Sequence, residues 1–583
     1  METFTALIDF ANPHGGPRVR HAFGQPQQTL VARALDQVKP LLDAVQAASA
    51  QGQWCVGYVR YEAAPAFDAA LKVHAPDGPL AWFAVFDAPL PWPEPGTTSA
   101  QIDWHSFIAR PDFDAAMDAL HQAISAGELY QVNLTAQMAG TFTGNPQALF
   151  AALQRAQPGG YAALLDTGDA HILSVSPELF FDWRDGHILA RPMKGTARRG
   201  ADAQEDAALA ESLRTSPKER AENVMVVDLL RNDVSRIAEP FSVQVPRLFH
   251  TEALPTVWQM TSDVTARTRP GCTLAEVFTA LFPCGSVTGA PKVRAMQMIQ
   301  ALEPVPRGVY CGAIGVVQPG GTATFNVPIR TVTLRSTTRS TATQHGVQAR
   351  CGIGSGITSD AQAEGEWQEW AAKQAFVQRA SAPFALLETL ALIDGTLRHR
   401  EAHLARMQAA AAHFGTPWNA DHIHQTLQTL LRPDGAWRVR LLLDAQGQAT
   451  AEAYPLEASP DHVRLQLADR PIAEAHSEFV RFKTTRRAHY DAFTPTQPGV
   501  FDTLLWNEQG EVTECTRGNI ALLLDGRWVT PPLACGLLGG IGRGNAVQAG
   551  RMVEAVVRVS DLPRVQALAF VNSLRGWLAA DLL

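Results

Sequence analysis

The sequence predicts an α+β protein built as two successive domains, and three observations predict it. Hairpin signals and helix-period segments are mixed along the chain rather than alternating as strand–helix–strand units. The chain has 583 residues, too long for one core, and length alone suggests about three or four domains. The pattern restarts after Ala380-Ser-Ala-Pro383, a stretch that reads as a short linker. The expected boundaries are 1–379 for the first domain, 380–384 for the linker and 385–583 for the second.

In chain order, residues 1–100 mix short apolar runs with Pro/Gly breaks and are expected to complete the first domain. Pro89-Leu-Pro-Trp-Pro-Glu-Pro-Gly96 reads as a rigid connector. Phe113, Met117, Leu120 and Ile124 recur at helical spacing, and Gly127 ends that helix. Tyr130-Gln-Val-Asn-Leu-Thr135 then reads as a strand. Strands over His171–Trp183 and His187–Met193 flank Asp185-Gly186, a strong hairpin signal. Long helices are expected from about Pro217 to Leu230 and from about Ala363 to Arg379. Leu386 to Gly395 opens the second half as a strand and turn.

Composition excludes several classes. Net charge is −8 and no Lys/Arg-rich run tracks phosphates, which argues against nucleic acid as a partner. No apolar run reaches membrane-spanning length, and the N-terminus lacks the basic region of a signal peptide. The seven cysteines are scattered without C-x-x-C pairs, so neither a disulfide framework nor a zinc site is expected, and the compartment is expected to be the reducing cytoplasm.

The first half carries one group of chemically suggestive residues. Lys194 follows a strand and precedes a glycine in Arg191-Pro-Met-Lys-Gly-Thr196. Alone, it reads most simply as a solvated strand-end lysine. Glu178, in Ser176-Pro-Glu-Leu-Phe180, lies on the other arm of the same hairpin. A three-residue loop over Asp185–His187 would set Glu178 directly opposite Lys194. A two-residue loop would turn them to opposite faces, and Pro177 disturbs the ladder in either case. A lysine at its ordinary pKa is about 0.04% neutral at pH 7, so a nucleophilic lysine needs burial or a cationic neighbour. A carboxyl beside it can then donate and accept protons.

Glu219 and Glu222, and likewise Glu366 and Glu369, stand at i, i+3 on two helices, each pair along one face. Two such helices meeting would focus four carboxylates on a hard cation such as Mg²⁺. Equally, Ser216-Pro-Lys-Glu219 is a capping box with proline at the first helical position, and Glu369–Lys373 is a surface i, i+4 pair. Cys351-Gly-Ile-Gly-Ser-Gly356 reads as a glycine-rich turn whose N–H groups can hold a carboxylate. Arg330 can grip a carboxylate bidentately or be an ordinary strand arginine.

Taken jointly, these stretches resemble the chorismate-utilising enzymes, the family of the anthranilate synthase and aminodeoxychorismate synthase large subunits. The resemblance rests on Gly127–Leu134, Ser176–Phe180, Arg191–Thr196, Glu222–Asp233, Phe282–Lys292, Tyr310–Gly315, Ile329–Thr331 and Gly352–Gly356 with the final Glu-rich helix, all in family order. It implies antiparallel sheets flanked by helices. It implies Glu222 and Glu369 as Mg²⁺ ligands, with Glu219 and Glu366 acting through water. It implies Tyr310, Arg330, the Gly354-Ser355-Gly356 turn and Lys373 as a carboxylate-binding set, with Thr288 and Gly289 in the substrate wall. Anthranilate synthases resemble the Lys194 motif with alanine in its place, whereas aminodeoxychorismate synthases carry lysine. That lysine attacks C2 of chorismate as the 4-hydroxyl leaves; ammonia then enters at C4 and expels it. Glu178 resembles the acid/base for these steps. Gln131 stands where water-using members carry a lysine base, which favours ammonia. Gln259, in Val257-Trp-Gln-Met-Thr-Ser262, departs from the histidine of many relatives and argues against a histidine acid here.

The second half carries another group. Lys483 lies in Phe482-Lys-Thr-Thr-Arg-Arg-Ala-His-Tyr490 and Glu514 in Val512-Thr-Glu-Cys-Thr516. Gly539-Gly-Ile-Gly-Arg-Gly544 precedes a helical stretch expected from Asn545 to Val556, and a turn opening a helix is a natural phosphate seat. Arg406, on an earlier helix, can add a charged clamp. A Schiff-base lysine, an acid for a pyridinium nitrogen and a phosphate seat are the parts pyridoxal phosphate requires. Each alone also reads as surface charge or loop glycine.

Together they resemble the class IV aminotransferase-fold family, a two-subdomain fold like that of D-amino-acid aminotransferase. Within it, Lys483-Thr-Thr-Arg486 and Asn572-Ser-Leu-Arg-Gly576 look most like 4-amino-4-deoxychorismate lyase. This implies Lys483 on the coenzyme aldehyde and as proton carrier, Glu514 on the pyridine nitrogen, and Arg406 with Gly540 and Ile541 on the phosphate. Thr389, Asn572, Ser573 and Leu574 would line the substrate side. The joint expectation is 4-aminobenzoate for folate, made from chorismate and ammonia with Mg²⁺ and pyridoxal 5′-phosphate. No cysteine stands in a G-x-C-x-G elbow, so ammonia is expected from a separate glutamine amidotransferase or from solution. A homodimer through the second domain is a further expectation. The competing expectations are an anthranilate-type synthase fused to a branched-chain or D-amino-acid aminotransferase, and a catalytically silent chorismate-binding or regulatory module.

Overall fold

The computed structural model describes residues 4–94, 100–198, 203–253, 257–336, 347–432, 434–472 and 475–583. Residues Met1–Thr3 of the N-terminus, and Pro95 and Gly96 of the proline-rich connector, lie outside them. The chain divides into two compact units, Met1–Ala382 and Pro383–Leu583. Among the described residues no helix is long and apolar enough to cross a membrane, and all seven cysteines are free.

The first unit forms two antiparallel sheets, of nine and ten strands among the described residues. In chain order, the elements that matter for the site are β1 (Gln131–Gly144), β2 (Ala170–Ser176), β3 (Leu179–Arg184), β4 (His187–Arg191) and β5 (Met193–Arg198). They continue with α1 (Pro217–Ser235), β6 (Val257–Arg267), β7 (Thr331–Ser336), β8 (Val347–Ile357) and α2 (Ala363–Ala380). β1, β2, β7 and β8 lie in the nine-stranded sheet and β3 to β6 in the other. The sheets face each other across a core that joins Ile8, Phe10 and Tyr161 of one to Val56, Trp82 and Ile314 of the other. Helices cover the outer faces. Trp370 and Phe376 of α2 share a core with Phe113 and Leu149. Val226 and Leu230 of α1 share one with Phe181, Phe278 and Phe325. At about 1.5–3 kcal/mol per fully buried large side chain, these apolar faces set the order of the layers.

The single strand expected over His171–Trp183 is two strands. β2 stays in one sheet and β3 crosses to the other, because Pro177 has no N–H to give a ladder. Glu178 follows at the crossing and is enclosed between the layers, 3% exposed. Asp185 (φ 50°) and Gly186 (φ 73°) close a two-residue turn that pairs Arg184 with His187. By itself that turn would send Glu178 and Lys194 to opposite faces. The register slips by one before Leu179, which pairs with Arg191, and the slip returns both side chains to one side.

α1 starts as its sequence indicates, with Pro217 in the first turn and the Ser216 hydroxyl accepting the Glu219 N–H at 3.4 Å. It runs past the expected Leu230 because Asp233 pairs with Lys292 at 2.8 Å and Val234 is fully buried. Ser381, beyond α2 in the expected linker, accepts the Trp104 indole N–H at 2.7 Å.

The second unit, taken by itself, carries a four-stranded and an eight-stranded sheet among its described residues. Its relevant elements are β9 (Leu386–Ile393), α3 (Arg400–Phe414), β10 (Val512–Cys515), β11 (Asn519–Leu524), α4 (Ile541–Gln548) and β12 (Ala567–Asn572). Leu390 and Leu392 of β9 share a core with Leu404 and Met407 of α3. Ile520 and Phe570 anchor the core of the larger sheet. The helix expected over 545–556 lies earlier, as α4, and begins inside the glycine run. Gly542 makes this possible, since a Cβ there would collide with the Asn572 main chain.

Candidate functional site

Lys194 stands at a β-bulge. Across β5 and β6 the register runs Met193↔Thr261 and then Thr196↔Gln259, leaving one extra residue on the β5 side. Gly195 supplies it with φ +87°, a left-handed backbone that favours glycine. Gln259 spans the bulge. Its Nε2 donates to the Gly195 carbonyl at 2.8 Å and its Oε1 accepts from Thr196 Oγ1 at 3.2 Å. The lysine reaches β8, where its Nζ and Gln131 Nε2 fill the space a Cβ on Gly356 would need.

Glu178 Oε1 is buried without a hydrogen-bond partner. Burial pushes the Glu178 pKa up to about 7, held from rising further by the Ser286 hydroxyl, the Lys194 charge, the Met193 N–H and the Lys373 charge. A carboxyl that titrates near neutrality beside an amine can both give and take a proton.

Gly354, Ser355 and Gly356 form strand rather than the expected turn, pairing with Thr135, Leu134 and Asn133. The Thr135 N–H goes to Glu303 Oε1 and the Asn133 N–H to the Thr288 carbonyl, both at 2.8 Å. These are therefore the non-hydrogen-bonded pairs of the ladder, and the amides of Gly354 and Gly356 point away from β1. β7 ends its pairing at Val332↔Cys351, before it reaches them. An open strand edge thus supplies the donors that a turn was expected to supply. Arg330 precedes β7 at the same end. Its guanidinium meets Gln157, no carboxylate pairs with it among the described residues, and burial draws its pKa down to about 10. An arginine without a carboxylate partner beside outward-pointing amides can seat a carboxylate.

Lys373 Nζ donates to the Gly354 carbonyl at 2.9 Å and pairs with Glu369 at 2.6 Å. Tyr310 lies against Gly352, and burial drives its phenol well above the ordinary range, so it stays protonated. Gly289 pairs with Val132 and the Thr288 hydroxyl caps its own turn at the Cys284 carbonyl, 3.1 Å away. Arg307, not singled out from the sequence, ties these parts together. It donates to the Asn133 and Val287 carbonyls at 2.7 Å each and to Glu303, whose other bond holds Thr135.

The four glutamates lie on α1 and α2 and act on one another. Glu219 is raised by desolvation and by the charges of Glu222 and Glu369. Glu366 is raised by desolvation, with Glu369 adding to it. For Glu369 desolvation works upward but Lys373, Lys194 and Lys218 outweigh it, and its pKa falls. Glu222 lies 4.0 Å from Lys218. No three His, Cys, Asp or Glu side chains among the described residues converge as around a metal ion, so the expected four-carboxylate cluster is not drawn together. Repelling oxygen donors still suit Mg²⁺, which takes one or two carboxylates and fills the rest with water and ligand oxygens.

In the second unit, burial first, then the charges of Arg406 and Arg487, lower Lys483 to about 8. Its carbonyl accepts the Leu387 N–H at 3.0 Å, which anchors it beside β9. Glu514 Oε1 accepts from Tyr490 Oη at 2.7 Å and the Leu538 N–H at 3.0 Å, and burial pushes its pKa up to about 7. Arg406 grips Glu388 through Nε and Nη2 at 2.8 and 2.7 Å, and its Nη1 donates to the Gly539 carbonyl at 2.9 Å. Desolvation works to raise Glu388, but Arg406 and His403 pull it down to about 2. The guanidinium therefore stands at the mouth of α4, beside the free N–H groups that follow Gly540. Thr389 pairs with Arg440 across β9.

Residues 14–379 match the family described as chorismate binding enzyme. The chain belongs to the chorismate-binding enzyme family. Residues 385–582 match amino-transferase class IV, and the second unit is a domain of that kind. Aminodeoxychorismate synthase component 1 of Klebsiella aerogenes is 38% identical over 294 residues, 50% of this chain and 62% of that protein. Aminodeoxychorismate synthase of Streptomyces griseus is 41% identical over 289 residues, 49% of this chain and 38% of that one. Anthranilate synthase component 1 of Aquifex aeolicus is 35% identical, covering 48% of this chain and 54% of that protein. The chain spans less than two thirds of the length of each. The anthranilate synthase component I structure from Streptococcus pneumoniae has a TM-score of 0.51 at 26% identity, covering 64% of this chain and 90% of that one. A 2,3-dihydroxybenzoate-specific isochorismate synthase structure from Bacillus anthracis, at 18% identity and a TM-score of 0.52, shares the fold over 65% of this chain and 95% of that one.

Within this chorismate-binding fold, Lys194, Glu178, Gln131, Gly356, Lys373 and Glu369 come together on one side. Two singled-out side chains are engaged elsewhere. The Ser355 hydroxyl bonds Glu366 and accepts the Trp370 indole N–H at 2.8 Å, and its main chain pairs with Leu134 in the ladder. In the class IV domain the Asn572 side-chain oxygen accepts the Arg575 N–H at 2.8 Å, and the Asn572 main chain lies against Gly542 of α4. Glu388 escaped notice in the sequence. His403 and Arg406, at i, i+3 on one face of α3, were the signal of a shared acidic partner.

Proposed function

We propose that this chain makes 4-aminobenzoate from chorismate and ammonia, one step in each unit. The observation that carries the reading is the Lys194 charge acting on an enclosed Glu178 that titrates near pH 7, beside an open amide edge and an Arg330 that meets Gln157 but, among the described residues, no carboxylate. Arg330 and the Gly354 and Gly356 amides would seat a substrate carboxylate. The Lys194 amine forms a bond to C2 of chorismate while Glu178 protonates the departing 4-hydroxyl, which leaves as water. Ammonia then bonds to C4, Glu178 takes a proton from it, and the C2–N bond breaks to free Lys194. Glu222 and Glu369, with Glu219 and Glu366 behind them through water, would hold Mg²⁺, whose charge supports the substrate's carboxylate chemistry.

The parts of the second unit suit pyridoxal phosphate. Lys483 has an amine partly neutral at pH 7, Glu514 is a buried acid for the ring nitrogen, and Arg406 stands with the Gly540–Ile541 amides for the phosphate. The coenzyme, when bound, would draw electrons from the amino-bearing carbon of the intermediate. Lys483 takes the C4 proton, the C3–O bond to the enolpyruvyl group breaks as the ring becomes aromatic, and a proton returned to the enolpyruvyl carbon releases pyruvate. Thr389 and the Asn572–Leu574 main chain would line the substrate. The ammonia source is proposed to be a separate glutamine amidotransferase, the setting cytoplasmic, and the second unit a homodimer contact.

Incubation with chorismate, Mg²⁺, ammonium and pyridoxal phosphate should give 4-aminobenzoate and pyruvate; 2-aminobenzoate would overturn the reading in favour of an anthranilate-type synthase. Lys194→Ala should stop the first step. Lys483→Ala should let aminodeoxychorismate accumulate and stop pyruvate release. Turnover with glutamine by the pure chain would refute the separate amidotransferase.

A further inference from the structure

A cavity in the first unit, sharing Arg307 with the candidate site, is lined by Arg60, Asp77, Arg307, Thr333, Arg335 and Arg350. Arg307 is fully engaged with Glu303 and two carbonyls. The other three arginines share one carboxylate. Asp77 lies 2.5 Å from Arg60, 2.9 Å from Arg335 and 3.6 Å from Arg350. Arg60 is 3% exposed, and its Nε is buried without a hydrogen-bond partner. Guanidiniums cannot shed their protons, so three of them against one carboxylate leave a surplus of positive charge.

Among the described residues no carboxylate other than Asp77 forms an ion pair with Arg60, Arg335 or Arg350, and Glu62, whose pKa the Arg60 charge lowers, offsets only part of the surplus. Both oxygens of the neighbouring Glu62 lie 3.1 Å from the Gly308 N–H, and burial pushes that carboxyl up to about 7. Residues 337–346, which join Arg335 and Ser336 to Gln348 and Arg350 in sequence, read Thr-Thr-Arg-Ser-Thr-Ala-Thr-Gln-His-Gly and contain no Asp or Glu. The cavity is also next to the candidate active site. Arg350 is in step along β8 with Gly352, Gly354 and Gly356, and the Tyr310 ring lies against Gly352. Gly308 and Val309, which line the cavity, lead directly into Tyr310.

We propose that this cavity is a second ligand site, one that takes a small oxyanion, carboxylate or phosphate, on Arg60, Arg335 and Arg350. Asp77 occupies part of that site as an internal competitor. Arg335 and Arg350 are each partly exposed, so Arg335→Gln with Arg350→Gln leaves the core intact. The test is isothermal titration of the full chain, loaded with pyridoxal phosphate so that the phosphate seat of the second unit is filled. Inorganic phosphate and pyruvate are the two probes. Saturable binding of either is expected, and the one that binds identifies the source. The double substitution should weaken it by roughly tenfold for each guanidinium removed. Asp77→Asn should tighten it, the opposite of what a purely structural ion network predicts. Absence of saturable binding for both probes, or equal binding by the double variant, overturns the proposal; so does a folded Asp77→Asn chain that binds more weakly. If Asp77→Asn does not fold, the double variant alone decides.

Discussion

Replacing Glu178 by glutamine isolates the free energy of enclosing its charge. The carboxyl moves from 4.5 to about 7 on burial. At 1.36 kcal/mol per unit that shift amounts to about 3 kcal/mol. The folded-state pKa is the raised one, so the native chain holds the proton more tightly than the unfolded chain. The cost is absent below the unfolded value, grows as pH climbs toward 7, and is complete above it. Glu178→Gln keeps the shape of the side chain and removes the charge. Its stability should equal that of the parent at low pH and exceed it by about 3 kcal/mol at about pH 8. With an unfolding entropy of about 2.1 cal/mol/K per residue across the 382 residues of the first unit, the melting temperature should rise by about 4 °C. Scanning calorimetry of both chains, from about pH 5 to about pH 8.5, measures the difference in the first-unit transition. Chorismate turnover should be lost at every pH, so stability and activity move in opposite directions. A temperature difference independent of pH, or a variant less stable throughout, would refute the claim that an enclosed carboxylate with one unpartnered oxygen sits beside Lys194.

Gly356→Ala would place a methyl where Lys194 Nζ and Gln131 Nε2 lie. Both are flexible side-chain ends, so the chain should fold while the first step slows on the order of 10²-fold and the second, fed with aminodeoxychorismate, is unchanged. Gln259→Ala releases the Gly195 carbonyl and the Thr196 hydroxyl. Steady-state kinetics should show kcat of the first step falling about tenfold, with KM for chorismate nearly constant, for a stability loss of about 1 kcal/mol. In the second unit, capture of pyridoxal phosphate by coenzyme-depleted protein should speed up with rising pH and reach half its maximum near pH 8, since the neutral Lys483 amine grows through its pKa of about 8; stopped-flow absorbance reads the rate.

Features set by neighbouring residues were legible in the sequence. Asp185-Gly186 closes its hairpin, Ser216-Pro217 starts its helix, and the two glutamate pairs lie on helices. Features set by distant partners were not. A strand reading over His171–Trp183 is locally sound, but which sheet each part joins depends on strands far along the chain. Gly-Ile-Gly-Ser-Gly has the composition of a turn and becomes strand because β1 offers a full-length partner. The Ser355 hydroxyl has no local clue to its bond with Trp370, and Arg406 gives no local clue to Glu388. Lys194 was recognisable as a reactive candidate, yet the bulge that aims it is a property of two strands in register.

The Arg307 tie has a consequence for how a ligand is received. It fastens the strand carrying Gln131 to the segment carrying Thr288 through main-chain carbonyls, with no guest molecule needed. The width of the gap is therefore preset, and an arriving molecule loses little of its binding free energy to ordering the walls. An inhibitor shaped to the empty cleft should meet the same contours in the occupied one.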